Sequence, residues 1–87
     1  MKYAVLKVEW VFGYESLHDR VLLFCVGADC LSGKVIDAKE LEDSNIFKIK
    51  VNFIDFDFFA SVARVGDRIS INEASKLLGS GVVVSYQ

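Results

Sequence analysis

The chain has 87 residues, a formal charge of −2, 53% apolar residues and 25% charged residues. That supply of apolar side chains can fill the core of one small domain without metals or disulfides, and it excludes intrinsic disorder. The acidic balance argues against nucleic acid as the sole partner, because affinity for phosphates comes from a basic excess.

In chain order, Ala4, Leu6, Val8, Trp10 and Phe12 alternate with Lys7 and Glu9, while Tyr3, Val5 and Val11 share the second face. A period of two predicts a strand within residues 2–12, with one face buried and the other partly covered. Lys7 and Glu9 also break the apolar run well short of a signal-peptide core. No segment reaches the roughly 18 apolar residues of a membrane-spanning helix. A cytoplasmic location with no membrane partner is the expectation.

Residues 13–19 read as a polar loop holding the only histidine, His18, beside Asp19 and near Ser16. Three such residues in one loop do not make a triad, whose members converge from separate rigid elements. Val21–Val26 is a continuous apolar run, as in a central strand covered on both sides. Cys25 and Cys30 have a CxxxxC spacing that fits neither a zinc knuckle nor a thioredoxin motif, and no second Cys/His pair completes four ligands. Against a disulfide, half a metal site or a redox pair, the preferred expectation for Cys25 is an inert, buried thiol.

Gly27-Ala28-Asp29 and Ser32-Gly33 punctuate the chain before a short strand opening at Lys34-Val35-Ile36. Residues 38–44 are charged and expected to be an exposed loop or helical turn. Phe47, Ile49, Val51 and Phe53 alternate with Lys48, Lys50 and Asn52, the cleanest strand pattern in the chain.

Beyond Phe53 the apolar set shifts to Ile54, Phe56 and Phe58, with Asp55 and Asp57 between them. Either a β-bulge makes the switch, or residues 57–64 form a short helical turn. In an extended chain the two carboxylates would lie roughly 7 Å apart, a spacing usable for a cation or an acid/base pair. No neighbouring ligand group supports that chemistry, so the preferred reading is a solvated face that keeps a Phe-rich edge from pairing. Ile69 and Ile71 mark another strand, Glu73–Leu78 one helical turn, and Val82–Tyr86 the last strand. Gly79-Ser80-Gly81 lacks the Lys-Ser/Thr pair and following helix of a phosphate-binding loop, and reads as a tight approach into that strand.

Short, regularly spaced strands without proline suggest a barrel or sandwich, and closure would hide apolar strand edges. The expected fold is all-β, a small closed antiparallel barrel of about six strands with one short helical turn, forming a single domain over residues 1–87. Candidate partner contacts are Asp55, Phe56, Asp57, Phe58 and Phe59, with His18, Arg20, Lys76 and Ser80 in loops. No catalytic residue, cofactor or metal ligand is assigned.

Three segments carry a resemblance. Ala28–Val35 looks like the Asp-Val-Thr-Gly turn in the C-terminal barrel domain of elongation factor Tu. Val65-Gly66-Asp67-Arg68-Ile69 is similar to that domain's Pro-Gly-Asp turn, and Leu78–Val83 resembles its closing Val-Gly-Ala-Gly-Val-Val. The resemblance implies a six-stranded closed barrel of a kind that packs against other domains and touches the T-stem of aminoacyl-tRNA. Gly13–Arg20 replaces the family's Gly-Gly-Arg-His-Thr, leaving His18 and Arg20 as its basic stand-ins. Glu73–Leu77 replaces Arg-Glu-Gly-Gly-Arg-Thr.

The functional expectation is a non-catalytic module that binds another protein, as an accessory, an inhibitor or an immunity-type factor. An RNA-binding, translation-associated module is the alternative, and it requires Arg20, Lys34, Arg68 and Lys76 to converge on one face. A minimal acid/base enzyme using Asp55, Asp57 or His18 is the second alternative. Self-association through an open strand or the Phe-rich segment is the third.

Overall fold

A computed structural model describes residues 2–42 and 44–87. Its strands are β1 (Ala4–Glu9), β2 (Val21–Val26), β3 (Asp29–Leu41), β4 (Ile46–Phe53), β5 (Arg68–Glu73) and β6 (Lys76–Tyr86). They close into an antiparallel barrel in the order β1-β4-β3-β2-β5-β6. Alternation drives this arrangement: Leu6 and Val8, Phe47, Ile49 and Val51, and Ile69 and Ile71 all point inward and are buried. The residues between them face outward.

Two connections plug opposite ends of the barrel. Between β1 and β2, a 3-10 turn at Tyr14–Ser16 carries the chain over one end, where Trp10 and Leu17 are fully buried. Between β4 and β5, helix α1 (Phe56–Val62) covers the other end and buries Phe59 and the following Ala63. Phe59 stacks on Phe53 at 3.9 Å between ring centroids, and Phe53 meets Phe24 edge-on at 5.4 Å. A continuous aromatic column thus runs from the helix into the barrel.

The barrel closes where β6 crosses β1. Gly79 and Gly81 face that crossing, and a Cβ on Gly79 would sit 2.5 Å from the Glu9 carbonyl oxygen. A Cβ on Gly81 would run into the Lys7 carbonyl oxygen and lie 2.7 Å from the Val8 Cα. The glycines therefore lie within the last strand, which starts at Lys76, rather than ahead of it. Register shifts between Val5 and Leu6 on β1, Val35 and Asp37 on β3, and Ile71 and Asn72 on β5 supply the bends that closure needs.

Local expectations change at several further points. Ala38–Leu41 continue β3 instead of forming a loop or helical turn, while Asp43 lies outside the described residues. The bulge near Val35 shifts the phase so that Ala38 faces inward and the charged residues stay outside. Glu73–Leu78 is not a helical turn but a hairpin, in which Glu73 pairs with Lys76 around Ala74-Ser75. After Phe53 the helical alternative is the one that forms, one residue earlier than expected, because Asp55 caps it by accepting a hydrogen bond from the Phe58 amide at 3.1 Å.

A further change concerns the cysteines. Gly27 at φ 59 opens a two-residue turn that sets Val26 opposite Asp29, so Cys25 falls directly opposite Cys30. The two sulfurs form a disulfide instead of leaving Cys25 a free thiol.

The seam at Gly81 has little room to yield, since the two nearest obstructing atoms are backbone. Gly81→Ala is expected to cost about 3 kcal/mol, the upper end for overpacking. Ser80→Ala, on the exposed side of the same strand, should stay within about 0.5 kcal/mol. Urea unfolding of the two variants tests this.

Candidate functional site

The sequence candidates divide between the two ends of the barrel. At the α1 end, the segment from Asp55 to Phe59 is largely structural. Asp55 is the helix cap, Phe56 packs edge-on against Tyr86, and Asp57 pairs with Lys2 at 3.5 Å. Phe59 is a core residue and unavailable to a partner, and only Phe58 leaves much of its ring in solvent. Asp55 and Asp57 lie at the start of a helix, not on one strand face, so the paired-carboxylate geometry does not form.

Arg20 and Lys76 come together at the opposite end. Arg20 forms an ion pair with Glu73, the hairpin partner of Lys76, and its Nη1 also donates to the Ser16 carbonyl at 3.2 Å. A groove of about 220 Å³ there is lined by Phe12, Ser16, Arg20, Glu73, Lys76 and Leu78. The loop beside it is tied down from within. Trp10 Nε1 donates to Ser16 Oγ at 2.9 Å and to the Gly13 carbonyl at 3.2 Å. The Ser16 hydroxyl in turn donates to the Phe12 or Gly13 carbonyl, each at 2.9 Å. His18 stacks on Tyr14 at 5.3 Å between ring centroids, and Ser80 is exposed farther along β6.

This rim concentrates apolar surface. Nine large apolar side chains are exposed among the described residues, and four of them belong to the two segments that form the groove: Val11, Phe12, Tyr14 and Leu77. Sequence reasoning gave that role to Phe56–Phe59 and passed over Val11, Phe12 and Tyr14. Phe12 in particular fits the inward alternation of β1, but the strand stops at Glu9 and the ring turns outward beyond it, meeting Trp10 edge-on at 5.2 Å.

Catalytic groupings do not assemble around the candidate acids and bases. Ser16 bonds to Trp10 and backbone carbonyls, His18 stacks on Tyr14, and Asp19 pairs with Lys34 at 3.6 Å. Among the described residues no cluster of three or more His, Cys, Asp or Glu side chains has metal-holding geometry, and no helix is long and apolar enough to cross a membrane.

Nor do the cations expected to form an RNA face converge as free charges. Arg20 is held by Glu73 and Lys34 by Asp19. A different cationic set assembles on the outer face of β1, β4 and β3. Lys7 stands opposite Lys48 across one strand pair, and Lys48 opposite Lys39 across the next. The alternation of Lys48 and Lys50 with apolar residues shows that they face outward, but only the strand register shows which residues flank them.

Compared with known proteins, the chain matches no family model, no curated protein and no solved structure.

One titrating group is tied to the fold. The Tyr86 hydroxyl donates to the Ala63 carbonyl at 2.6 Å, joining the last strand to the residue after α1. Burial pushes its pKa above the ordinary 10.0, and the negative charge of Asp67 pushes the same way. The folded state therefore holds this proton more tightly than the unfolded chain does. Its contribution is fully present below pH 10.0 and is lost as pH rises through the raised folded-state pKa. Tyr86→Phe should cost about 1 kcal/mol at neutral pH, the net worth of one hydrogen bond. It should also lose less stability than the parent above that pH, as read from paired unfolding curves at neutral and alkaline pH.

Proposed function

We propose that this chain is a non-catalytic docking module whose partner is another protein, bound at the rim formed by the β1–β2 loop and the β5–β6 hairpin. The observation that carries this reading is a groove lined by Phe12 and Leu78 on two segments that also carry the exposed Val11, Tyr14 and Leu77. Apolar and aromatic anchors beside a polar groove are the usual composition of a protein-binding hot spot.

Rigidity supports the same reading. The Trp10–Ser16 hydrogen bond and the buried Leu17 hold the loop in place before any partner arrives. Less conformational freedom then remains to be lost on binding. The Arg20–Glu73 pair at the groove gives a partner a charged pair to read beside the apolar anchors. The resemblance to the elongation factor Tu barrel agrees with a domain built to pack on other domains, and it adds no residue to the site.

The disulfide bears on location. Disulfides persist in oxidising compartments and are rare in the cytosol, so Cys25–Cys30 favours an oxidising compartment over the cytoplasmic placement reached by elimination.

The test is retention of a protein from native lysate by the immobilised chain, compared across variants. Phe12→Ser combined with Leu77→Ser is expected to abolish retention of a protein that Ile54→Ser, on a different surface, still retains. Circular dichroism should show all variants folded. Loss with Ile54→Ser and not with the rim variants would overturn the assignment.

A further inference from the structure

We propose that the outer face of β1, β4 and β3 is a second binding surface, taking the phosphodiester backbone of a single-stranded nucleic acid. Lys7, Lys48 and Lys39 form a row across three neighbouring strands, each directly opposite the next. Antiparallel geometry sets their Cα atoms about 5 Å apart. All three are exposed, and Lys50 stands one outward position along β4 with its Nζ 5.3 Å from the centre of the Tyr3 ring.

Like charges placed directly opposite each other destabilise a sheet, and one acidic residue at the centre of the row would turn both contacts favourable. Instead Lys48 sits between two lysines. The ion pairs among the described residues are Lys2–Asp57, Arg20–Glu73 and Lys34–Asp19, and none engages a member of the row. Both direct cross-strand neighbours of Lys48 are thus cations, and a local rule broken in this way is what a functional surface looks like.

The ligand class follows from what surrounds the row. None of the nine exposed large apolar side chains lies on β1, β3 or β4, and the apolar residues beside the row, Leu41 and Ile46, are half-buried, so the face offers no large exposed anchor of the kind protein partners use. Lysine is also depleted in protein–protein interfaces, and without arginine there is no fork for bidentate reading of base edges. A row of point charges suits a linear polyanion whose phosphates are held without regard to sequence. A flexible single strand can adjust the spacing of its phosphates to so short a row, whereas a duplex presents them at a fixed spacing.

Acidic neighbours define the limits of the track. Glu9 and Asp37 stand at opposite corners of the row, Asp37 directly opposite Lys50, and Glu40 and Glu42 line a groove of about 450 Å³ with Lys7, Lys39, Leu41, Ser44 and Ile46 at one side of it. Taking the four lysines out of the net −2 leaves −6 on the rest of the chain. A strand would therefore be confined to the row and repelled elsewhere.

Binding of a labelled single-stranded oligonucleotide of about 12 nucleotides, followed by fluorescence anisotropy, tests the proposal. With three phosphates neutralised, affinity should fall about 100-fold between about 20 and 200 mM salt, a log–log slope near −2. Lys48→Gln should lower that slope by about a third, and Lys48→Glu should abolish binding while raising the melting temperature, since it replaces two repulsions with two attractions. A melting temperature that does not fall separates lost binding from lost folding. Phe12→Ser should bind the oligonucleotide unchanged, so failure here is distinguishable from failure of the rim as a protein site. Absence of binding, a salt-independent affinity, unchanged binding by Lys48→Glu, or equal competition by a duplex or by poly-glutamate would each overturn it.

Discussion

The approach of β6 to β1 governs this structure. An open six-stranded sheet of such apolar strands would expose two edges and the inner face that its alternation leaves hydrophobic. Closure pairs both edges, and it requires two backbones to pass at a distance that a Cβ on Gly79 or Gly81 would forbid. With the seam shut, the interior becomes a cylinder open only at its ends, and the remaining connections take on the task of filling them. Trp10 and Leu17 close one end, and Phe59 and Ala63 the other. The terminal segments add to the seam as well, with Tyr3 and Gln87 exchanging backbone hydrogen bonds at 3.2 and 2.9 Å.

Two plugs of different construction leave the ends with different surfaces. The α1 end is finished by aromatic packing, in which Phe53, Phe59, Phe56 and Tyr86 contact one another and the Tyr86 hydroxyl reaches the Ala63 carbonyl. Aromatic surface there is spent on the inside. At the other end Trp10 does the burying, and its indole N–H fixes the loop so that Phe12 and Tyr14 are turned away from the core. Apolar side chains that the fold does not need are thus left at the rim, held on a framework too well anchored to retract them.

The strands were legible in the sequence because alternation is a local signal, and Phe47–Phe53 shows how far it carries. The errors arose where a nonlocal fact decided the outcome. Ala38–Leu41 looked like a loop because Lys39 and Glu40 are charged, yet a bulge across from β4 puts Ala38 inward and keeps the strand running. Ala74 occupies a turn position at φ 54, a conformation that favours glycine or asparagine, so the hairpin carried no composition signal. Phe59 looked available because a run of aromatics cannot all face inward from a strand, whereas from a helix Phe59 alone points down the barrel axis into Phe53. The Cys25–Cys30 pair was within reach of sequence reasoning: a two-residue turn at Gly27-Ala28 sets them opposite each other, but that follows only once the turn is placed.

Charge shows the same division between local and global information. A net −2 is a sum over the whole surface, and taken alone it speaks against any polyanion. The register of three strands redistributes it, setting Lys7, Lys48 and Lys39 side by side with Glu9, Asp37, Glu40 and Glu42 at their margins, while Asp55, Asp57, Asp67 and Glu15 lie on other elements. Screening within about 10 Å at ordinary ionic strength means that a ligand on the lysine row responds to its nearest few charges more than to the total. Local arrangement therefore outweighs the sum in deciding what this face attracts. The repulsion built into the row is tolerable because it falls on strands paired along both edges, with Leu6, Val8, Phe47, Ile49 and Val51 buried beneath them.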